Sequence, residues 1–267
     1  MTYKSDTAAF YRDWSKKALH VNLVRRTNLE YFGDLRGKSI VELGCGTGTF
    51  LQTCRDMGAK YILGLDINGE MIKSGGNSVD GRLDCNEGLH FAVTNCFEPI
   101  TQKYGPLDFA VCQFVLHDCP NEQVLRVFLQ NVSNMLKPGG KMFVGMCPYA
   151  ANSFNDQETI ADLCGYLHPL KTESGGNDPF FANPPTYIPL LDSKPHEHEA
   201  KRFTREIMFL FNYFSWSMAK LMANIKSNNF VMVEQVDQKF PDDVSLDDKQ
   251  RMQSLEVPFI TIGAQKQ

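Results

Sequence analysis

The stretch Lys38-Ser39-Ile40-Val41-Glu42-Leu43-Gly44-Cys45-Gly46-Thr47-Gly48-Thr49-Phe50 constrains this 267-residue chain more than any other. Ile40, Val41 and Leu43 make a short apolar run suited to a strand buried on both faces. Glycines at 44, 46 and 48 follow, and then a helical pattern begins. Glycine permits sharp turns at positive φ and lets a ligand lie directly on the backbone. The helix that follows points its free N–H groups and positive dipole end at the loop.

Two cofactor classes use a strand, a glycine loop and a helix in this way. The dinucleotide fingerprint G-x-G-x-x-G needs its third glycine for close helix packing. Counted from Gly44, that position is Thr49, which disfavours an NAD(P)-dependent oxidoreductase. The spacing is G-x-G-x-G, with Glu42 two residues before the first glycine. This resembles motif I of the class I S-adenosylmethionine-dependent methyltransferases, close to (V/L)-(D/E)-(L/I)-G-C-G-T-G. The resemblance implies that Glu42, Gly44, Cys45, Gly46 and Gly48 surround S-adenosylmethionine, the product being S-adenosylhomocysteine.

Further along, Tyr61-Ile62-Leu63-Gly64-Leu65-Asp66 reads as a second buried strand ending in an acid. The acid lies about 20 residues after the loop, where α/β cofactor folds place a carboxylate on the ribose hydroxyls. Asn68 has the place of a helix N-cap. By resemblance Ile67 packs on the adenine ring. Leu89–Thr94 reads as the third strand, and Asn95 stands where most family members carry Asp to accept from the adenine amino group. An amide oxygen can accept the same bond. The Cys96 N–H would then face the adenine ring nitrogen.

A fourth strand, Leu107 to Cys112, exits through Gln113, Phe114, Val115, Leu116, His117 and Asp118. Ligands of open α/β sheets bind at the carboxyl ends of the strands, so this exit should face the reacting methyl group and Gln113 the cofactor. His117 is the general-base candidate, since imidazole titrates near neutral pH. A histidine that only packs is an equal reading. Val124, Leu125, Phe128, Leu129, Val132 and Leu136 form a helical stripe, opened by Pro120-Asn121 and closed by Pro138-Gly139-Gly140. Leu136-Lys137-Pro138-Gly139-Gly140-Lys141 is a second family hallmark, leading into a fifth strand at Met142–Met146. The resemblance thus spans roughly residues 38–147.

The remainder divides around that core. Residues 1–37 form a helical arm, which in related methyltransferases covers the cofactor; Tyr11 is a candidate contact, as are Tyr3 and Trp14. Residues 148–202 lack clear periodicity and are rich in Pro, Asn, Gly and aromatics, which marks either an active-site cap or a disordered insert; the aromatics favour an inserted substrate cap over 148–216. Tyr149, Tyr213 and Trp216 are its candidate substrate contacts, and Arg205–Tyr213 suggests an extra strand. His196 and His198 alternate with acids and lack a third ligand, so a solvated turn is preferred and no metal is expected. Residues 217–267 supply a helix and a closing hairpin, Val231–Val236 and Val257–Ile262, joined by an acidic link. By resemblance the fold is α/β: a doubly wound, mostly parallel seven-stranded sheet, its last strand antiparallel, with helices on both faces.

Net charge is −4 with no long Lys/Arg run, so no nucleic-acid partner is expected. The polar start and the shortness of every apolar run suggest a cytoplasmic protein with no membrane span. Eight cysteines without a C-x-x-C pair read as reduced core residues. The expected function is methyl transfer from S-adenosylmethionine to N or O of a small-molecule metabolite, by a monomer or homodimer. The layout of the chain resembles, distantly, that of the toxoflavin-type N-methyltransferases. The alternative is a non-catalytic module that binds S-adenosylmethionine for regulation or partner binding.

Overall fold

In the computed structural model the apolar run before the glycines is strand β1 (Ser39–Leu43), and it lies in the middle of a seven-stranded sheet. The structure describes residues 5–77, 79, 88–101, 104–146, 186–189, 207–211, 216, 218–254 and 259–267. The partners of β1 are β2 (Tyr61–Asp66) on one side and β4 (Leu107–Gln113) on the other, both parallel. Beyond them lie β3 (Gly88–Val93) and β5 (Leu136–Met146), also parallel. The sheet closes with β9 (Ile260–Lys266), antiparallel to β5, and β8 (Phe230–Gln235), antiparallel to β9. The order β3-β2-β1-β4-β5-β9-β8 reverses direction between β1 and β4. Such a switch point leaves a crevice at the strands' carboxyl ends, where open α/β sheets bind ligands.

The strands are apolar on both faces because helices cover both. Val41, Ala110, Cys112, Met142 and Val144 belong to one buried cluster; Ile40, Phe109, Val111 and Phe143 belong to the other. This alternation is the period-two consequence of the pleat. The first cluster takes Leu125, Phe128, Leu129 and Val132 from α5 (Glu122–Met135) and Leu221 and Ile225 from α6 (Met218–Ser227). The second takes Leu23 and Val24 from α2 (Leu19–Phe32), Phe50, Leu51 and Cys54 from α3 (Thr49–Asp56), and Ile72 from α4 (Gly69–Ser74). Cys45, Cys54, Cys96, Cys112 and Cys119 are buried free thiols.

Three local expectations change. The N-terminal arm is two helices, α1 (Ser5–Lys17) and α2, because Ala18 is extended at φ −64°, ψ 116°. The break lets α1 lie against α4 while α2 packs on β5 and β9. Leu136 is not the last residue of the α5 stripe: it is extended and starts β5, ahead of the Pro138-Gly139-Gly140 turn. The acidic link contains a further helix, α7 (Leu246–Ser254), whose start is capped by Ser245 Oγ accepting from the Asp248 N–H at 3.0 Å. The extra strand expected in the inserted region does form, as β7 (Ile207–Phe211), paired antiparallel with β6 (Thr186–Pro189) in a separate two-stranded sheet.

Candidate active site

The glycine loop folds back on the end of β2. The Gly44 and Cys45 N–H groups both donate to the Leu65 carbonyl, at 2.7 and 3.0 Å, and the Gly48 N–H closes a turn on Cys45 O at 2.9 Å. Gly44 (φ 74°) admits no side chain, since a Cβ there would come within 2.5 Å of Val115 Cγ2. Gly46 (φ 54°) faces the opening, its nearest neighbours being Met71 and the Tyr11 ring. From the far side Asn77 Nδ2 donates to Thr47 O at 2.9 Å, and Gln52 Nε2 reaches Asn77 Oδ1 at 3.2 Å. The loop is therefore held from both sides before any ligand enters.

Asp66 is the hub of this arrangement. One carboxylate oxygen accepts the Gly46 N–H at 2.7 Å and the other accepts the Asn68 N–H at 2.8 Å. Burial pushes its carboxyl above the ordinary value, while these two N–H groups pull it back down. Asn68 in turn caps α4, its side-chain oxygen accepting the Glu70 N–H at 2.9 Å.

The crevice is lined by Gly44 and Gly46 after β1, Asp66, Ile67, Asn68 and Met71 after β2, Thr94–Phe97 after β3, and Gln113, Phe114, Val115 and Asp118 after β4, with Tyr11 over the top. Four consecutive parallel strands thus deliver their carboxyl ends to one place. Phe114 takes the left-handed conformation (φ 54°) while its N–H donates to Gly145 O at 2.7 Å. A phenylalanine rarely sits there without a reason in the surrounding structure. Here the turn swings Val115 over Gly44 and starts a single 3-10 turn, Leu116–Asp118, that brings Asp118 to the crevice wall.

Two buried titratable groups, Glu42 and Arg25, lie close enough to influence each other. Glu42 is 4 % exposed, and its Oε2 has no hydrogen-bond partner among the described residues. Burial pushes its carboxyl up to about 8, with Arg25 opposing and Asp66 adding to the rise. Arg25, from α2, donates to Ser15 O at 3.3 Å, while its Nε lacks a partner among the described residues; burial lowers its pKa. Neither group is in the crevice lining, and each keeps one buried polar atom without a partner among the described residues.

The model of the methyltransferase domain family matches residues 17–169, more than half of the chain. The chain belongs to that family. Two curated methyltransferases align over about half of it. An mRNA cap guanine-N(7) methyltransferase of Caenorhabditis elegans is 29% identical over 147 residues, 52% of this chain and 38% of its own length. A ubiquinone biosynthesis O-methyltransferase of Coxiella burnetii is 26% identical over 138 residues, 49% of this chain and 56% of its own. The chain thus spans well under two thirds of either relative. Among solved structures, the 1,6-didemethyltoxoflavin-N1-methyltransferase of Burkholderia thailandensis superposes with a TM-score of 0.53 at 13% identity, covering 98% of this chain and 86% of that one. At that identity the likeness shows the fold: a class I, Rossmann-like methyltransferase.

Of the expected site residues, Tyr11, Gly44, Gly46, Asp66, Ile67, Asn95, Cys96 and Gln113 line the crevice together. Glu42 and Cys45 lie buried beneath it, and Gly48 is the left-handed residue that starts α3. His117 does not line the crevice; its ring stacks on Phe114, 6.4 Å between centroids, and Asp118 beside it reaches the wall instead. Trp216, expected to touch the acceptor, is fully buried in the main core with Phe128 and Leu221. Tyr149 and Tyr213, with nearly all of the inserted region, lie outside the described residues, as do Tyr3, His196 and His198. Sequence reading did not single out Arg25 or Phe97, and it placed Asp118 at the methyl-facing exit of β4 without giving it a role apart from His117. Among the described residues no helix is long and apolar enough to cross a membrane, and no group of three or more His, Cys, Asp or Glu is placed to hold a metal.

Proposed function

We propose that this protein transfers a methyl group from S-adenosylmethionine to an N or O atom of a small molecule. The observation that carries the reading is Asp66, whose two oxygens each hold one backbone N–H while the carboxylate still lines the crevice at the sheet's switch point. Each oxygen keeps lone-pair capacity for one of two vicinal ribose hydroxyls. Ile67, 54 % exposed, offers an apolar surface to an adenine ring, and Asn95 an amide to its edge. Glu42 and Arg25 suit the ammonium and carboxylate of the amino-acid end. Gln113 points the same way, being 7 % exposed with an Nε2 that has no partner among the described residues.

When bound, S-adenosylmethionine supplies an electrophilic methyl group on a sulfonium sulfur. The protein's own part is to align the acceptor and exclude water. Tyr11 and Met71 close over the glycine loop, and α1 is tied down by Arg12 Nη1 donating to Ser74 O at 2.9 Å. Of the two titratable groups on the 3-10 turn, Asp118 faces the crevice, and burial raises its carboxyl toward the range useful in a base. It is placed to take the acceptor's proton, while His117, stacked on Phe114, steadies the turn. On the sequence pattern alone, acceptor choice is assigned to the inserted region, with Tyr149 and Tyr213 as its candidates.

One relative is named for an mRNA cap, so the class of acceptor is the point to test. A net charge of −4 and the absence of a long basic run favour a small molecule over RNA. With methyl-labelled S-adenosylmethionine and a cell extract split into metabolite, RNA and protein fractions, label should enter the metabolite fraction. Label confined to RNA or protein would refute the small-molecule reading, and no transfer into any fraction would favour the non-catalytic alternative.

A further inference from the structure

We propose that Asn131, on α5 and outside the crevice lining, is a positioning residue that sets how the pocket reads the adenine ring. The proposal rests on the S-adenosylmethionine reading above. Asn131 is 4 % exposed and spends its amide on one loop. Its Nδ2 donates to Cys96 O at 3.0 Å and to Glu98 O at 2.8 Å, while its Oδ1 accepts the Ile100 N–H at 3.0 Å. That loop, between β3 and β4, carries Asn95, Cys96 and Phe97 into the crevice wall and has no regular ladder of its own.

The important link is the peptide unit joining Cys96 to Phe97. It is a rigid plane, so fixing its carbonyl fixes its N–H. Asn131 holds the carbonyl end. The N–H end donates to Asn95 Oδ1 at 3.1 Å. A donor at that place requires the oxygen, not the nitrogen, of the Asn95 amide, and so selects one of the two flip states. Asn131 thereby determines, through one peptide plane, which pattern of donor and acceptor Asn95 shows the ligand.

Adenine presents an amino donor beside a ring-nitrogen acceptor. Hypoxanthine presents the reverse, a carbonyl acceptor beside an N–H donor. An amide held in one flip state accepts one pattern and leaves unpaired groups against the other; a released amide turns to fit either. The pinned loop should therefore bind S-adenosylhomocysteine roughly tenfold or more tightly than S-inosyl-L-homocysteine, the scale of one mismatched buried hydrogen bond.

The test is calorimetry of both ligands on the full chain, the wild type compared with Asn131→Leu, Asn131→Ser and Asn95→Ala. The serine variant leaves room for a bridging water should the leucine variant fold poorly, and Asn95→Ala removes the pinned amide alone. We expect the preference for the adenine ligand to fall to within about threefold in each folded variant. A merely structural role for Asn131 would lower the melting temperature and both affinities together, leaving the ratio at its wild-type value. That result, or a wild type with no preference, overturns the proposal. A wild type that binds neither ligand overturns the cofactor reading instead.

Discussion

Replacing Asp66 with alanine removes two functions at once, and the structure allows each to be sized. The first is internal. The Gly46 and Asn68 N–H groups lose a charged acceptor, at 2.7 and 2.8 Å. Such bonds are worth about 1.5–3 kcal/mol apiece, less where water can replace the acceptor, as at this partly open site. Alanine also relieves the desolvation that raises the Asp66 carboxyl. A net loss of about 1–2 kcal/mol remains, roughly 2–8 °C in melting temperature for a chain this size. The second function is toward the ligand. Loss of the ribose contact should weaken S-adenosylhomocysteine binding roughly ten- to hundredfold. Asp66→Asn keeps one strong acceptor oxygen and should fall between wild type and alanine on both measures. Thermal melts and calorimetry on the same samples separate the two functions. A lower melting temperature with unchanged affinity would keep the loop tie and refute the ribose contact; no change in either would refute both.

Other consequences follow from the same geometry. Gly44→Ala meets Val115 and a positive φ together, so it should destabilise the fold by about 1–3 kcal/mol and abolish cofactor binding, as melts and calorimetry would show. Glu42 has a raised folded pKa, so its contribution to the stability of the free protein is fully present below the unfolded value and is lost as pH rises through about 8. Melting temperature should therefore decline from about pH 5 to about pH 8, and the Glu42→Gln variant should lack that share of the decline. A bound ammonium would favour the ionised acid, so cofactor binding near pH 7 should release a proton. Calorimetry in two buffers of different ionisation enthalpy reads it, and zero release would remove Glu42 from the amino-acid end. For catalysis, Asp118→Asn should lower kcat/KM by about 10²-fold or more, whereas His117→Ala should cost about tenfold or less; the reverse order would return the base to His117.

The features legible in the sequence are those that depend on neighbours along the chain. The glycine loop, the acid ending β2, the Asn68 cap, the Asn121 start of α5 and its stripe as far as Val132 are all local patterns, and each forms where its residues indicate. The helix α7 was equally local, its Ser245-x-x-Asp248 cap standing in plain view within a link read only for its charge. Arg25 and Asn131 were not legible. In sequence each is one polar residue on an amphipathic helix, and only the packing of α2 under the loop and of α5 beside the post-β3 loop turns them inward. The exchange of His117 for Asp118 at the crevice has a similar cause. It depends on the left-handed turn at Phe114, a conformation that residue type alone would not suggest.

The central claim is that this crevice is built for S-adenosylmethionine, and calorimetry of the purified chain tests it most directly. S-Adenosylmethionine and S-adenosylhomocysteine should each bind once per chain, and 5′-methylthioadenosine, which lacks the amino-acid end for which Glu42 and Arg25 are proposed, should bind at least roughly tenfold more weakly. NAD should not bind measurably, because its pyrophosphate needs the close helix approach that Thr49 does not provide. Tight binding of NAD, or no heat with either sulfur ligand from a folded protein, would contradict the account.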